Sequence, residues 1–377
     1  MAENGKPKVL VVVQLSGGND FMNTLIPYTN PHYRDARRTT GIPEDQVLPI
    51  DGTLGFHPSL GPFKELYDQG TMAVVQGIGY PNSSRSHFRS MDIWHTCEPQ
   101  KVGTQGWLGQ ATRELDPHQE NVLTAVSFGR GLPRALACQG VAVTSVAELD
   151  TYGLLAGISE VEQRNEALEV FKRMYGPAIG SGPVNDYLAR TGLDVIKGAD
   201  VLKKATAGYS SGVEYADNAI AKSLKDVARV HLAGLGTRIF YTQHGGYDVH
   251  ANENPAQPKL FTELSGAIMD LFHDLRDHDA SEEVSMLVFT EFGRRIRDNG
   301  SGTDHGSGGG AFILGDHVDG GLYAEYPSLE PDHWLNSEDL KHTIDFRGIY
   351  GTILEQWLGI APEPIVGGAF EQIRPFK

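Results

Sequence analysis

Thiol chemistry has little material in this sequence. Only Cys97 and Cys138 are present, which excludes a disulfide framework and any CxxC metal motif. Two reduced thiols are the expected state, with one bridge between them left open. Long apolar runs are also missing. No stretch approaches the roughly 20 apolar residues a membrane helix needs, so no membrane segment is expected. The opening MAENGKPKVLVVVQL has an apolar run too short for a signal peptide and no small-residue cleavage site after it. As written, the chain is expected to be soluble and cytoplasmic, or periplasmic if a leader was removed. Positive charge is scarce as well. With 32 basic against 48 acidic side chains the formal net charge is −16. A surface of that sign repels a phosphate backbone, which argues against nucleic acid as a partner.

What is plentiful is glycine, 45 residues, much of it beside His, Asp and Asn in short clusters. Such clusters suit tight loops with close backbone approach. Several continuous apolar runs read as strands buried on both faces: KVLVVVQL, TMAVVQGIG, TRIFYTQ and VSMLVFT, with LTAVSFG and AFILG as further candidates. Between them lie helical patterns, among them Pro58 to Gln69, HFRSMDIWHT, KLFTELSGAIMDLFHDL and the late DFRGIYGTILEQWLG. Alternation of this kind predicts an α/β fold: a doubly wound, mostly parallel mixed sheet with helices on both faces. We read residues 1–377 as one domain with a helical insert around 159–233. Nothing in the sequence speaks to oligomeric state.

Ligands of open α/β sheets bind beyond the carboxyl ends of the strands. Four of the runs are followed at once by polar side chains. These are Asn19 and Asp20; Ser84, Arg85, Ser86 and His87; Asp248 and His250; and Glu291 and Arg294. A fifth cluster, Asp304 and His305, precedes AFILG, and it reaches the same edge only if that strand is antiparallel. Carboxylates with imidazoles suit Zn²⁺ or Mn²⁺. In Asp248-x-His250 an extended backbone points both side chains the same way, which permits chelation of one ion. Asp and His beside Gly are also ordinary turn residues, and spacing alone leaves both readings open.

The motifs LSGGNDFMNTLIPY, VVQGIGYPNSSRSHFRSMDIWH, GGYDVHANE, FTEFGRRIRDNGSGTDHG and DFRGIY together resemble the DUF1501 family, bacterial proteins grouped with the alkaline-phosphatase-like superfamily. The resemblance runs from about residue 8 to the C-terminus. It implies an alkaline-phosphatase-like fold and a metal-dependent hydrolase of phosphate or sulfate esters, with a small anionic ester as substrate. It implies one divalent metal, or two, held by Asp20, Asp248, His250, Glu291, Asp304 and His305. The nucleophile would be Ser86, or else Ser84, at the start of the helix after the second strand. Arg85, His87, Asn19 and Arg294 would contact substrate. One departure stands out: superfamily members place His after the acid at the position of Glu291, and here Phe292 follows. That departure favours the alternative of a non-catalytic member that binds a metal and a ligand or partner. A formylglycine sulfatase is disfavoured, because no Cys or Ser stands four places before Arg85.

Two further patterns fit poorly. Gly208-Tyr209-Ser210-Ser211-Gly212 matches GxSxG but follows a helical pattern where a strand is required. Gly306-x-Gly308-x-x-Ala311 precedes a strand where a dinucleotide loop follows one. His57, His95, His118, His231 and His273 are isolated, and Trp94, Trp107, Trp334 and Trp357 read as core.

Overall fold

The computed structural model describes residues 5–150 and 206–377, with scattered positions between 151 and 205. Twelve strands are present among them: β1 (Val9–Ser16), β2 (Leu25–Ile26), β3 (Leu48–Pro49), β4 (Gly55–Phe56), β5 (Met72–Gly79) and β6 (Ala125–Phe128) in the first half. The rest are β7 (Thr144–Val146), β8 (Ile239–Gly245), β9 (Val284–Thr290), β10 (Gly309–Leu314), β11 (Gly321–Tyr323) and β12 (Ile344–Asp345). Nine of them form one sheet in the order β11-β5-β10-β9-β1-β8-β6-β7, with β12 pairing β5. The short β2, β3 and β4 make a separate three-stranded sheet.

β1 sits at the centre, hydrogen-bonded in parallel to β8 on one side and β9 on the other. Its sequence explains the position. Every residue from Val9 to Leu15 is buried, and β-branched side chains fill both faces of a strand with no solvent side. Period-2 alternation divides them between two cores. Val9, Val11, Val13 and Leu15 join the helices Gly61–Asp68, Ala219–Leu232 and Glu253–Asp277. Leu10 and Val12 face the helices His87–Thr96, Trp107–Leu115 and Phe346–Thr352. Helices therefore cover both faces, as the sequence predicts.

β10 is antiparallel to β5 and β9, and the other sheet strands run parallel. The expected mixed sheet is thus observed, with AFILG as the reversed strand. Its reversal brings the loop before Gly309 to the edge where β1, β5, β8 and β9 end. Of the predicted insert, Ala219–Leu232 is a helix, and most of 159–205 lies outside the described residues. No helix among the described residues is long and apolar enough to cross a membrane. Both cysteines are free.

Candidate metal centre

Two glycines set the close approach on which the site depends. Gly17 has φ +125°, and a Cβ there would stand 2.3 Å from the backbone nitrogen of Asp248. Gly18 has φ +80°, and its Cβ would stand 2.3 Å from the Phe292 ring. Side chains rarely adopt such backbone angles, and these two would also collide with a neighbouring loop. The turn after β1 can therefore lie flat against the loops after β8 and β9.

Arg294 ties these loops together. Its side chain is fully buried and donates to the carbonyls of Gly17 (2.5 Å), Gly18 (2.7 Å), Tyr247 (2.7 Å) and Thr303 (3.0 Å), and to Asp248 Oδ1 (2.8 Å). Expected to contact substrate, it bonds through all three of its nitrogens to the protein. Arg85 is likewise committed, to Asp339 at 2.6 Å and Glu338 at 3.2 Å.

At the edge so assembled, the ligand atoms of His87, Asp248 and His305 lie within 4.8 Å of one another. Three imidazoles meet there, and each has its Nδ1 held. His87 Nδ1 lies 2.9 Å from Glu291 Oε1, His250 Nδ1 2.9 Å from Asp304 Oδ1, and His305 Nδ1 2.8 Å from the Arg85 carbonyl. These partners are acceptors, so Nδ1 donates and a neutral ring turns its Nε2 lone pair toward the cluster. His250 Nε2 is 3.0 Å from His305 Nε2 and 3.1 Å from Asp248 Oδ1. His305 Nε2 is 2.9 Å from Asp248 Oδ1. His87 Nε2 is a buried atom without a hydrogen-bond partner, 3.3 Å from Asp248 Oδ2. Burial raises the proton affinity of Asp248, but donation from Arg294 and the charge of Arg294 outweigh it. The carboxyl is held well below the usual carboxylate range. Hydrogen bonding from His250 lowers Asp304 as well. His87, Asp248 and His305 could together hold a cation, and a nitrogen–oxygen donor set is of the kind that suits Zn²⁺ or Mn²⁺.

Several expected ligands lie elsewhere. Asp20 caps the helix Phe21–Thr24 and forms a two-pronged ion pair with buried Arg37, so both of its carboxylate oxygens are engaged within the protein. Glu253, fully buried beside it, accepts from Thr303 Oγ1 at 2.8 Å. Burial, with Asp20 adjacent, pushes the Glu253 carboxyl up to about 9. Glu291 accepts from the Gly17 N–H (2.9 Å), His87 and Thr290 Oγ1 (3.0 Å), which places it behind His87 and away from the lone pairs. Asp304 stands behind His250 in the same way. Asn19 is buried, its backbone N–H donating to Thr290 Oγ1 and its amide to Thr24 Oγ1. Of the serines, Ser84 Oγ accepts the Ser86 N–H at 3.2 Å. Ser86 is the exposed N-cap of the helix His87–Thr96, and its hydroxyl makes no capping bond.

His87, expected among the substrate contacts, stands within the cluster formed with Asp248 and His305. Its position as the first residue of the helix after β5 was legible, but its ring direction was not. Phe292, the departure noted above, packs against the rings of His87 (5.0 Å) and His305 (4.8 Å). An apolar ring therefore stands where another imidazole was expected. The GxSxG segment is structural, since Tyr209 and Ser211 donate to buried Asp274 at 2.5 and 2.6 Å.

A cavity of about 520 Å³ opens beside the cluster, lined by His87, Asp248 and Glu291 and continuing along the helix His87–Thr96.

The profile of a family described as "Protein of unknown function (DUF1501)" matches residues 53–348. The chain belongs to this family. The match covers the loops after β5, β8 and β9, and not the β1 loop. No curated protein matches. Among solved structures, the DUF1501 chain is similar to a protein in the alkaline phosphatase superfamily from Vibrio parahaemolyticus, at 10% identity and TM-score 0.45, covering 99% of this chain and 71% of that one. It is also similar to the PsFucS1 sulfatase from Pseudoalteromonas sp., at 12% identity and TM-score 0.40, covering 98% and 71%. A third is the lipoteichoic acid synthase LtaP from Listeria monocytogenes, at 9% identity and TM-score 0.40, covering 98% and 76%.

Proposed function

We propose that this DUF1501 protein is a metal-dependent hydrolase of phosphate or sulfate esters, with one divalent ion, Zn²⁺ or Mn²⁺. The observation that carries the proposal is the convergence of three Nδ1-anchored imidazoles on Asp248, with the buried Nε2 of His87 left without a partner. His87, Asp248 and His305 would hold the ion, and His250 would complete the donor set from the solvent side. A bound divalent ion supplies Lewis acidity to an ester oxygen and lowers the pKa of a hydroxyl or water beside it.

The chain's own contribution is orientation and charge. Glu291 and Asp304 fix the tautomer and direction of His87 and His250, and the Arg85 carbonyl does the same for His305. The helix His87–Thr96 begins at the cluster with no side chain capping its first turn. Its free N–H groups favour an anionic oxygen at that spot, while Arg85 and Arg294 are paired with Asp339, Glu338 and Asp248. Ser86, with its hydroxyl unused, is the proposed nucleophile, and Ser84 is set aside because its oxygen is occupied.

Turnover of aryl phosphate, phosphodiester or aryl sulfate with Zn²⁺ or Mn²⁺ is expected, and its absence for all three refutes the hydrolase. Ser86→Ala should abolish turnover with metal retained; full activity would transfer the attack to water. Phe292 favours a second reading, a metal-holding binding protein, which metal uptake without any turnover would support.

A further inference from the structure

The cavity beside the cluster differs in charge between its two ends. His87, Met91 and His95 fall at i, i+4 and i+8 and all line it, so one helix face runs along it for two turns. The near end holds His87 with the carboxylates of Asp248 and Glu291. Farther along, the lining includes Asp92 and Arg134. Asp92 stands about 7–8 Å from His87 along the helix axis, five residues on. Arg134 reaches the same wall from the segment between β6 and β7.

At this far end two guanidiniums share one carboxylate. Arg134 Nε lies 2.9 Å from Asp92 Oδ1, and Arg89 Nη1 donates to Asp92 Oδ2. Among the described residues neither arginine has another carboxylate at ion-pair distance. The nearby Glu98 carboxylate is paired with Lys101 at 3.3 Å. Burial, helped by the charge of Arg134, lowers His95 to about 3, so that ring is neutral. One positive charge is thus left unbalanced, in a chain whose formal net charge is −16. Arg134 also keeps donors. Its Nη2 donates to the Gly103 carbonyl, while among the described residues Nη1 has no hydrogen-bond partner, and the side chain is 44% exposed. Ser16 Oγ, which lines the cavity too, accepts the Gln14 amide at 2.8 Å and retains its own proton to donate. A guanidinium offers donors and no acceptor, which suits a carboxylate. A single unbalanced charge matches a singly charged group better than a phosphate, which carries nearly two.

We propose that Arg134 is a second anion site: the organic part of the ester carries a carboxylate, bound at Nη1 while the ester head lies at the imidazole cluster. With it the charges of Arg89, Arg134 and Asp92 are balanced. The cavity, about 520 Å³, has room for such a group. The proposal rests on the hydrolase reading for the position of the head. Its own basis is separate, in the charge and free donors at the far end.

The test is calorimetric binding of matched non-hydrolysable phosphonates to the metal-loaded full chain at low salt. The pairs are 4-carboxyphenylphosphonate against phenylphosphonate, and 4-phosphonobutyrate against butylphosphonate, a rigid and a flexible spacer. In at least one pair the carboxylate is expected to tighten binding about fivefold or more. Arg134→Gln should cut that ratio to about twofold or less, and Arg134→Lys, which keeps the charge, should retain most of it. Circular dichroism reports that both variants fold. A wild-type ratio of about twofold or less in both pairs overturns the second site while the head site stands. Equal weakening of both members of a pair by Arg134→Gln, with the ratio intact, also overturns it, since Arg134 would then only support the helix. Failure of all four phosphonates to bind overturns the ester reading and this proposal with it.

Discussion

Glu291→Gln alters the support of the metal centre without changing its volume. The Glu291 carboxylate accepts three donors: the Gly17 N–H at 2.9 Å, His87 Nδ1 at 2.9 Å and Thr290 Oγ1 at 3.0 Å. An amide offers one oxygen and turns an N–H₂ toward what were acceptor contacts. If the oxygen stays with Gly17 and His87, the amide nitrogen faces Thr290, whose hydroxyl can rotate to accept. If it flips, His87 loses its acceptor and its tautomer is no longer fixed. Leaving one buried donor unpaired costs about 1–3 kcal/mol. Loss of such an outer partner typically weakens a metal by about 10–100-fold. We expect Zn²⁺ affinity by calorimetry to fall within that range. We also expect ¹⁵N NMR of the apo protein to show His87 shifting from one Nδ1–H tautomer toward a mixture. Unchanged affinity together with an unchanged tautomer would refute the role assigned to Glu291.

Arg294→Ala should destabilise by about 3–5 kcal/mol, since it strips a buried cation from four carbonyls and Asp248; urea unfolding measures it, and a loss under about 1 kcal/mol speaks against the clamp. Gly17→Ala places a Cβ 2.3 Å from Asp248 N at φ +125°. It should cost more than about 1 kcal/mol and weaken Zn²⁺ at least tenfold, and wild-type values for both would contradict the loop contact. Glu253 predicts a pH dependence. Its folded pKa of about 9 lies above its ordinary 4.5, so the folded state holds the extra proton. Stability from this group is full below about pH 4.5 and is lost as pH rises toward 9, by up to about 1.4 kcal/mol per pH unit. Glu253→Gln should flatten that fall in urea titrations between pH 5.5 and 8.5. An equal slope in both proteins would count against it.

The fold was legible because the strands are buried on both faces and so carry continuous apolar runs. The reversed β10 followed from one requirement, that Asp304 and His305 reach the edge where the other clusters lie. Within the site, strand-end position foretold that Asp248, His250 and His305 would meet, while their reading as ligands came from the family resemblance. The errors came from side-chain partners distant in sequence. Nothing around Asp20 announces Arg37 as its ion-pair partner, and nothing near Arg294 announces four carbonyls, three of them from two other loops. Glu291 and His87 exchanged layers, since the strand end fixes where each Cα stands but not which atom faces the cluster. The cavity was invisible for a similar reason: the i, i+4, i+8 face of His87, Met91 and His95 has meaning only once the helix is docked on β1.

Metal binding by the purified chain, measured as Zn²⁺ and Mn²⁺ per protein after dialysis against each ion, tests the imidazole–carboxylate centre most directly. One ion per chain is predicted, lost in Asp248→Ala and in His305→Ala while circular dichroism stays that of the wild type. No bound ion in the wild type, or undiminished binding in both variants, would contradict a metal centre at this edge of the sheet.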